Sequence, residues 1–224
     1  MTLAVFKRCL STVPKDVEIL FAGMAEPWLN PAATDMVVYA HEQGYRVGVY
    51  STVSGHFCPA DVQRMLDIPF LHFCIHLPDA GGMMKLKVDS AYLQNLKAAM
   101  AISNRHFTLI GKMRPLVLEV VGDQVKDDSP GLLSRAGNLK DRLISKKRGP
   151  LQCSAAPELN HNVLLPNGDV VLCCCDYSLE QVLGNLTRVD YQSLFTGAKF
   201  TQIKHDLVHD SELMCRRCEL SVNL

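Results

Sequence analysis

The chain has no excess charge of either sign: 23 Lys and Arg balance 23 Asp and Glu, for a formal net charge of zero. Without a global basic field to draw a polyanion, a nucleic-acid partner is not expected. No apolar run approaches the roughly 20 residues of a membrane-crossing helix, so a membrane partner is not expected either. The opening residues Met1 to Arg8 lack the order of a signal peptide, because their charges follow the apolar residues. Internal repeats and low-complexity segments are missing. Disulfides are not expected, since nine cysteines is an odd number and nothing points to export. Reduced thiols in an unexported chain point to the cytoplasm. Hydrophobic content of 48% with 21% charged residues is ordinary for a globular protein, and 224 residues suffice to bury a substantial core.

What is abundant is thiol. Six of the nine cysteines fall between Cys153 and Cys218. Pro166-Asn167-Gly168-Asp169 is a hairpin signal, because Asn and Gly tolerate the positive φ of tight turns. The outgoing segment, Val170 to Cys175, reads as a strand that carries thiols at its end. Alternation along it predicts Cys173 and Cys175 on one face and Cys174 on the other. Cys215-x2-Cys218 is a chelating knuckle, since two intervening residues let both sulfurs turn toward one metal. Adding Cys153 and Cys173 gives Cys-x19-Cys-x41-Cys-x2-Cys, a four-thiolate set suited to zinc or an iron–sulfur cluster. Zinc ribbons usually show two short knuckles; one knuckle with two distant ligands is expected when a domain wraps a larger iron–sulfide core. The compact zinc alternative is His205-x3-His209 with Cys215-x2-Cys218, histidines four apart sharing a helical face. Its plain reading is a solvated helix end. Asp176 and Asp79 are candidate proton acceptors whose plain reading is structural.

The first 110 residues alternate between two patterns. Val17–Phe21, Tyr45–Tyr50, Phe70–Ile75 and His106–Ile110 read as strands. Between them, Asn30-Pro31 opens a helix that Gly44 closes, Ala60–Ile68 is a short helix, and Asp89 begins a longer one with Leu93, Leu96 and Met100 on one face. Strands separated by helices mean βα units and a parallel sheet, with chemistry beyond the C-terminal strand ends. Those ends are Gly23-Met24-Ala25-Glu26-Pro27, Ser51-Thr52 and His76-Leu77-Pro78-Asp79. Cys9, Cys58 and Cys74 stand alone and read as core thiols. Pro115–Val121 fits helix or strand. Asp127 to Gly131 is a turn cluster, Lys146 to Pro150 reads as a solvated linker, and Lys199–Leu207 is helical.

Cys153, Gly168-x4-Cys173, Cys173-x2-Asp176, Gly184-Asn185 and Cys215-x2-Cys218 together resemble the SPASM/twitch domain of radical S-adenosylmethionine (SAM) enzymes, in its single-cluster version. Ser134-Arg135-Ala136-Gly137-Asn138 also recurs in related sequences. The resemblance covers about the last 72 residues. It implies an auxiliary 4Fe–4S cluster with Cys153, Cys173, Cys215 and Cys218 as ligands. Cys174 and Cys175 lie outside the pattern as small hydrophobes, with Cys175 able to substitute for Cys173. Beside that domain, Met24-Ala25-Glu26-Pro27 is similar to the Gly-Gly-Glu-Pro element that holds the cofactor's amino group. This resemblance assigns Glu26, Ser51, Thr52 and His76 to binding S-adenosylmethionine.

The implied architecture is an α/β partial parallel (β/α) barrel over 1–150 that lacks its first strand. A small α+β cysteine-rich domain with a β-hairpin follows over 151–224. The family's Cys-x3-Cys-x2-Cys motif occurs nowhere in the sequence, so the chain is expected to be an N-terminally incomplete copy, inactive alone, with the Val17 strand as an edge. The expected function is that of an iron–sulfur oxidoreductase acting on a small-molecule or peptide substrate, with a flavodoxin or ferredoxin as electron donor. The alternatives are a non-catalytic electron-relay module and a zinc-stabilised scaffold.

Overall fold

The computed structural model describes residues 1–22, 24–82, 84–125, 134–138 and 145–224. The chain forms two compact units. One is Pro14–Gly131; the other combines Met1–Val13 with Leu132–Leu224. The second unit opens with α1 (Leu3–Leu10), where the Thr2 hydroxyl accepts from the Val5 N–H and Phe6, Cys9 and Leu10 are buried.

The unit Pro14–Gly131 alternates strand and helix: β1 (Ile19–Phe21), α2 (Ala33–Glu42), β2 (Val47–Ser51), α3 (Pro59–Met65), β3 (Phe73–Leu77), α4 (Ser90–Ala99), β4 (Arg105–Leu109) and α5 (Pro115–Val121). The four strands pair in parallel in the order β1-β2-β3-β4, which leaves β1 at an edge. The helices pack in chain order, α2 on α3, α3 on α4 and α4 on α5. This is the winding of a partial β/α barrel. The period of two divides the sheet into contrasting faces. Val47, Val49, Phe73 and Ile75 are almost wholly buried, whereas Leu20 and Tyr50 on the other face keep 45% and 36% of their surface. Trp28 anchors the core: its indole N–H donates to Thr34 Oγ1 at 2.9 Å and its ring meets the edge of Phe57 at 4.9 Å.

Local chemistry explains the helix boundaries. The Asn30 side chain accepts from the Ala32 N–H (3.0 Å), and Gly44, at φ +83°, stops α2. Asp89 caps α4 by accepting from the Tyr92 N–H. Two expectations change, and one left open is settled. The buried face of α4 is Tyr92, Leu96 and Ala99, because the Tyr92 ring takes the inward position that Leu93 was expected to hold. Cys58 is exposed rather than in the core; it caps α3, with its N–H donating to Asp61 Oδ2 at 2.8 Å. Pro115–Val121 is a helix, with Val117 and Val121 buried four apart and Leu116 and Leu118 exposed. Gly23 and the turn at 127–131 lie outside the described residues.

In the other unit, β5 (Leu151–Cys153) pairs antiparallel with β9 (Ser221–Asn223). Strands β6 (Val163–Leu164), β7 (Asp169–Val171) and β8 (Val182–Asn185) form a three-stranded antiparallel sheet, and α6 (Ala198–Val208) follows. The hairpin turns at Asn167-Gly168, with Gly168 at φ +92° and its N–H donating to Leu165 O (2.9 Å). The strand expected to reach Cys175 ends at Val171. The Asp176 N–H donates to Cys173 O at 3.1 Å, and the buried Asp176 carboxylate accepts from the N–H groups of Glu180 and Gln181. Those bonds fold Cys173 to Asp176 into a turn, so strand alternation does not govern the three thiols. Asp176 is thereby structural. Among the described residues no helix is long and apolar enough to cross a membrane.

A Cβ on Gly168 would lie 2.6 Å from Thr187 Cγ2 on a backbone with positive φ. Gly168→Ala is therefore expected to destabilise this unit by about 2 kcal/mol, read as a lowered urea midpoint.

Candidate metal centre

Three local structures bring the thiols together. The β5–β9 ladder sets Cys153 opposite Ser221, three residues past Cys218. A 3₁₀ turn, Met214–Arg217, folds the knuckle, with the Cys218 N–H donating to Cys215 O at 3.2 Å. The Cys173–Asp176 turn presents the remaining three. Cys153, Cys173, Cys174, Cys175, Cys215 and Cys218 then line a single cavity of about 60 Å³, with Leu159, Leu172 and Met214 also in its wall. That volume is several times the roughly 10–15 Å³ that one water needs. Among the described residues no three His, Cys, Asp or Glu side chains close on one point as ligands of a single ion. A zinc ion about 2.3 Å from each sulfur needs sulfurs only about 3.8 Å apart. The six thiols border one common space.

Cys175 is the most enclosed of the run, 1% exposed. It is in hydrogen-bonding reach of Cys173, Cys174 and Cys218, which pushes its own pKa up and pulls theirs down. The Cys175 thiol lowers Cys174 to about 6 against the opposing effect of burial, helped by Arg135, whose Nη1 lies 3.6 Å from the Cys174 sulfur. Cys218 falls to about 7 through the same Cys175 contact. Burial pushes Cys215 up to about 12, with Cys173, Cys218 and Cys153 adding to it.

The support around the thiols was not foreseen from the spacing. Arg216, inside the knuckle, is completely buried. Its guanidinium donates to the carbonyls of Lys147, Gly149, Asp206, Leu207 and His209 and to Ser211 Oγ. It thus satisfies carbonyls at the C-terminal end of α6 that no helical N–H reaches. The segment expected to be a solvated linker belongs to this frame. Lys147 donates through Nζ to the carbonyls of Cys218 and Ser221, and through its N–H to Arg216 O. Ser134 and Glu219 are joined, and Asn138 reaches Cys175 O. Arg135, Ala136 and Gly137 adopt three successive positive φ values, 53°, 55° and 82°. Two of these are not glycine, a strained arrangement of the kind that persists only where its surroundings enforce it. His205 and His209 stack at 4.1 Å on the end of α6 and are not part of the cavity wall.

In the unit Pro14–Gly131, Glu26, Ser51 and Thr52 meet. Glu26 Oε1 accepts from Ser51 Oγ (2.8 Å) and the Trp28 N–H (3.2 Å); Oε2 accepts from the Thr52 N–H (2.6 Å) and Thr52 Oγ1 (2.7 Å). Thr52 Oγ1 has a second partner, Ser54 Oγ at 2.7 Å. His76 engages Thr108 through Nδ1 at 3.0 Å and lies 5.9 Å from the Tyr50 ring. Asp79 is buried, and its carboxylate accepts from the Met84 N–H.

Arg216→Met removes six hydrogen bonds and leaves buried carbonyls unpaired. A loss of at least about 3 kcal/mol is expected, measured by urea unfolding with near-ultraviolet circular dichroism. In the metal-free chain at pH 7, iodoacetamide is expected to label Cys174 well before Cys215 or Cys175, because only the thiolate reacts. Lowering the pH below 6 protonates Cys174 and slows its labelling, as peptide mass spectrometry can follow.

Residues 153–219 match the family described as SPASM, an iron–sulfur cluster-binding domain. No curated protein matches the chain by sequence. Among solved structures, the chain is similar to BtrN in complex with AdoMet and 2-DOIA. The TM-score is 0.65 at 17% identity, covering 100% of this chain and 81% of that one. Selenomethionine BtrN in an open conformation gives 0.56 at 16%, over 98% and 80%. His-tagged anSMEcpe with bound AdoMet gives 0.53 at 11%, over 98% and 74%. At these identities the likeness concerns the fold. The chain shares its α/β fold with BtrN and anSMEcpe, and its residues 153–219 match the SPASM iron–sulfur cluster-binding domain.

Proposed function

We propose that this chain is an iron–sulfur oxidoreductase of the radical SAM/SPASM type, whose thiol cavity holds an auxiliary 4Fe–4S cluster. The observation that carries the reading is the convergence of six thiols, distant in sequence, on one cavity with apolar residues in its wall. The donor set fits: a 4Fe–4S core takes four thiolates, and Cys153, Cys173, Cys215 and Cys218 are the proposed four. When bound, such a cluster supplies one-electron transfer, and four cysteine ligands leave it no open coordination site for substrate. The chain's own residues prepare that site. Arg216 and Lys147 hold the knuckle, Leu159, Leu172 and Met214 limit water, and Arg135 places a positive charge beside Cys174.

S-adenosylmethionine fits the Glu26 corner on one condition. All four acceptor sites of the carboxylate are taken, but Thr52 Oγ1 can turn to Ser54 Oγ and release one for an ammonium group. The substrate is proposed to be a small molecule or a peptide, and the electron donor a flavodoxin or ferredoxin. These 224 residues hold no Cys-x3-Cys-x2-Cys motif, so the chain alone is proposed not to generate the adenosyl radical. That same feature favours, as a second reading, an electron-relay module serving another protein.

Anaerobic reconstitution followed by iron, sulfide and zinc analysis is expected to give about four iron and four sulfide per chain. Stoichiometric zinc without sulfide would reject the cluster. Cys215→Ala and Cys218→Ala are each expected to lose most of the visible cluster absorbance, while Cys174→Ala keeps it; equal losses in all three overturn the ligand assignment.

A further inference from the structure

The two histidines at the end of α6 line no part of the thiol cavity, and the proposed function gives them no role. His205 is in the last turn of α6 and His209 is its C-cap, four residues on, so the two rings fall on one face. They stack with centroids 4.1 Å apart and planes 17° from parallel. Both are exposed, the His205 side chain by 58%.

A second observation concerns the nitrogen that each ring leaves open. His205 Nδ1 faces Asp206 Oδ1 at 3.4 Å, and His209 Nδ1 faces His205 O at 3.0 Å. Carboxylate and carbonyl oxygens only accept, so both Nδ1 atoms carry a proton. The lone pair of each neutral ring is then on Nε2, and neither Nε2 has a partner among the described residues. An acceptor behind Nδ1 with Nε2 open ahead is the arrangement that orients metal-binding histidine. The orienting carboxylate is itself held. Gln202 Nε2 donates to Asp206 Oδ1 at 2.8 Å, and Arg216 fixes the Asp206 carbonyl. His205 O also accepts the His209 N–H at 3.0 Å, so ring and backbone of His209 are anchored on one atom.

The local field favours a cation. A helix C-terminus carries partial negative charge, and Asp206 and Asp210 add two carboxylates. The opposing charge is Arg216, whose Nη1 is 3.8 Å from Asp210 Oδ1 and whose donors are engaged by backbone oxygens. Lys204 is drawn aside, with Nζ 5.1 Å over the Phe200 ring. Two imidazole nitrogens bound to one ion at about 2.0–2.1 Å lie about 3 Å apart, which exposed rings reach by turning about their side-chain bonds.

We infer that His205 and His209 bind a borderline divalent ion (zinc, nickel or copper) through both Nε2 atoms. No third His, Cys, Asp or Glu side chain among the described residues closes on the same point, so water completes the coordination. The inference is independent of the thiol cavity and of whatever that cavity holds.

The test is carbethoxylation of the full chain by diethyl pyrocarbonate, with and without Zn²⁺, followed residue by residue by peptide mass spectrometry. Zn²⁺ is expected to slow the labelling of His205 and His209 together at least tenfold, while exposed His56 is unchanged. Zinc held by the thiols protects neither histidine, so the cavity does not confound the readout. His205→Asn is expected to abolish the protection of His209, and His209→Asn that of His205, with circular dichroism showing each variant folded. Asp206→Asn keeps both ligands but loses the orienting carboxylate. Its affinity for Zn²⁺, read from the concentration giving half protection, is expected to fall about tenfold. Equal labelling with and without Zn²⁺, or protection of one histidine that survives loss of the other, overturns the inference.

Discussion

A buried positive charge organises the C-terminal unit. Arg216 sits between the two cysteines of the knuckle, yet it faces away from water and into a ring of backbone oxygens from α6 and from residues 147–149. An isolated buried cation is costly, and one surrounded by six acceptors is tolerated only while all of them stay in place. The knuckle, the end of α6 and the segment before β5 therefore keep their geometry together. Cys153 begins its strand's exit within this frame, and Cys215 and Cys218 are carried on it. The positions of three thiols follow from where one guanidinium finds its oxygens.

The other unit obeys a different constraint. Its four parallel strands bury one face under helices, and this burial fixes which residues emerge at the strand ends. Ser51 closes β2 from the buried face and meets Glu26 from the loop after β1. His76, on the opposite face, turns instead to Thr108 and Tyr50. One period of two thus divides the residues expected to act together: Glu26, Ser51 and Thr52 form a network, while His76 belongs to the aromatic face.

Much of this was legible in the residues. The β-α alternation, the Asn167-Gly168 hairpin, the caps at Asn30 and Asp89 and the crowding of cysteine all rest on local chemistry, which a sequence displays. What escaped depends on partners far away in the chain. Cys173 to Cys175 looked like strand because apolar residues precede them, and only the reach of Asp176 to Glu180 and Gln181 bends them into a turn. Lys147 looked solvated because its acceptors, the carbonyls of Cys218 and Ser221, lie more than 70 residues on. Arg216 looked like one of two interchangeable basic residues; nothing local says that one is buried and its neighbour Arg217 half exposed. The Tyr92 ring took the inward face of α4 because packing, not hydropathy, decides between adjacent apolar positions. The family resemblance supplied the four proposed ligand positions, but not the frame around them.

The crowding of thiols also bears on the chemistry of the metal-free polypeptide. Cys175 has three sulfur neighbours in reach, and all three are shifted toward the reactive, deprotonated form. In air, a bridge from Cys175 to Cys173 or Cys218 would remove one of the four proposed ligands. On the proposed reading, loading of the cluster competes with oxidation of the thiols that would hold it.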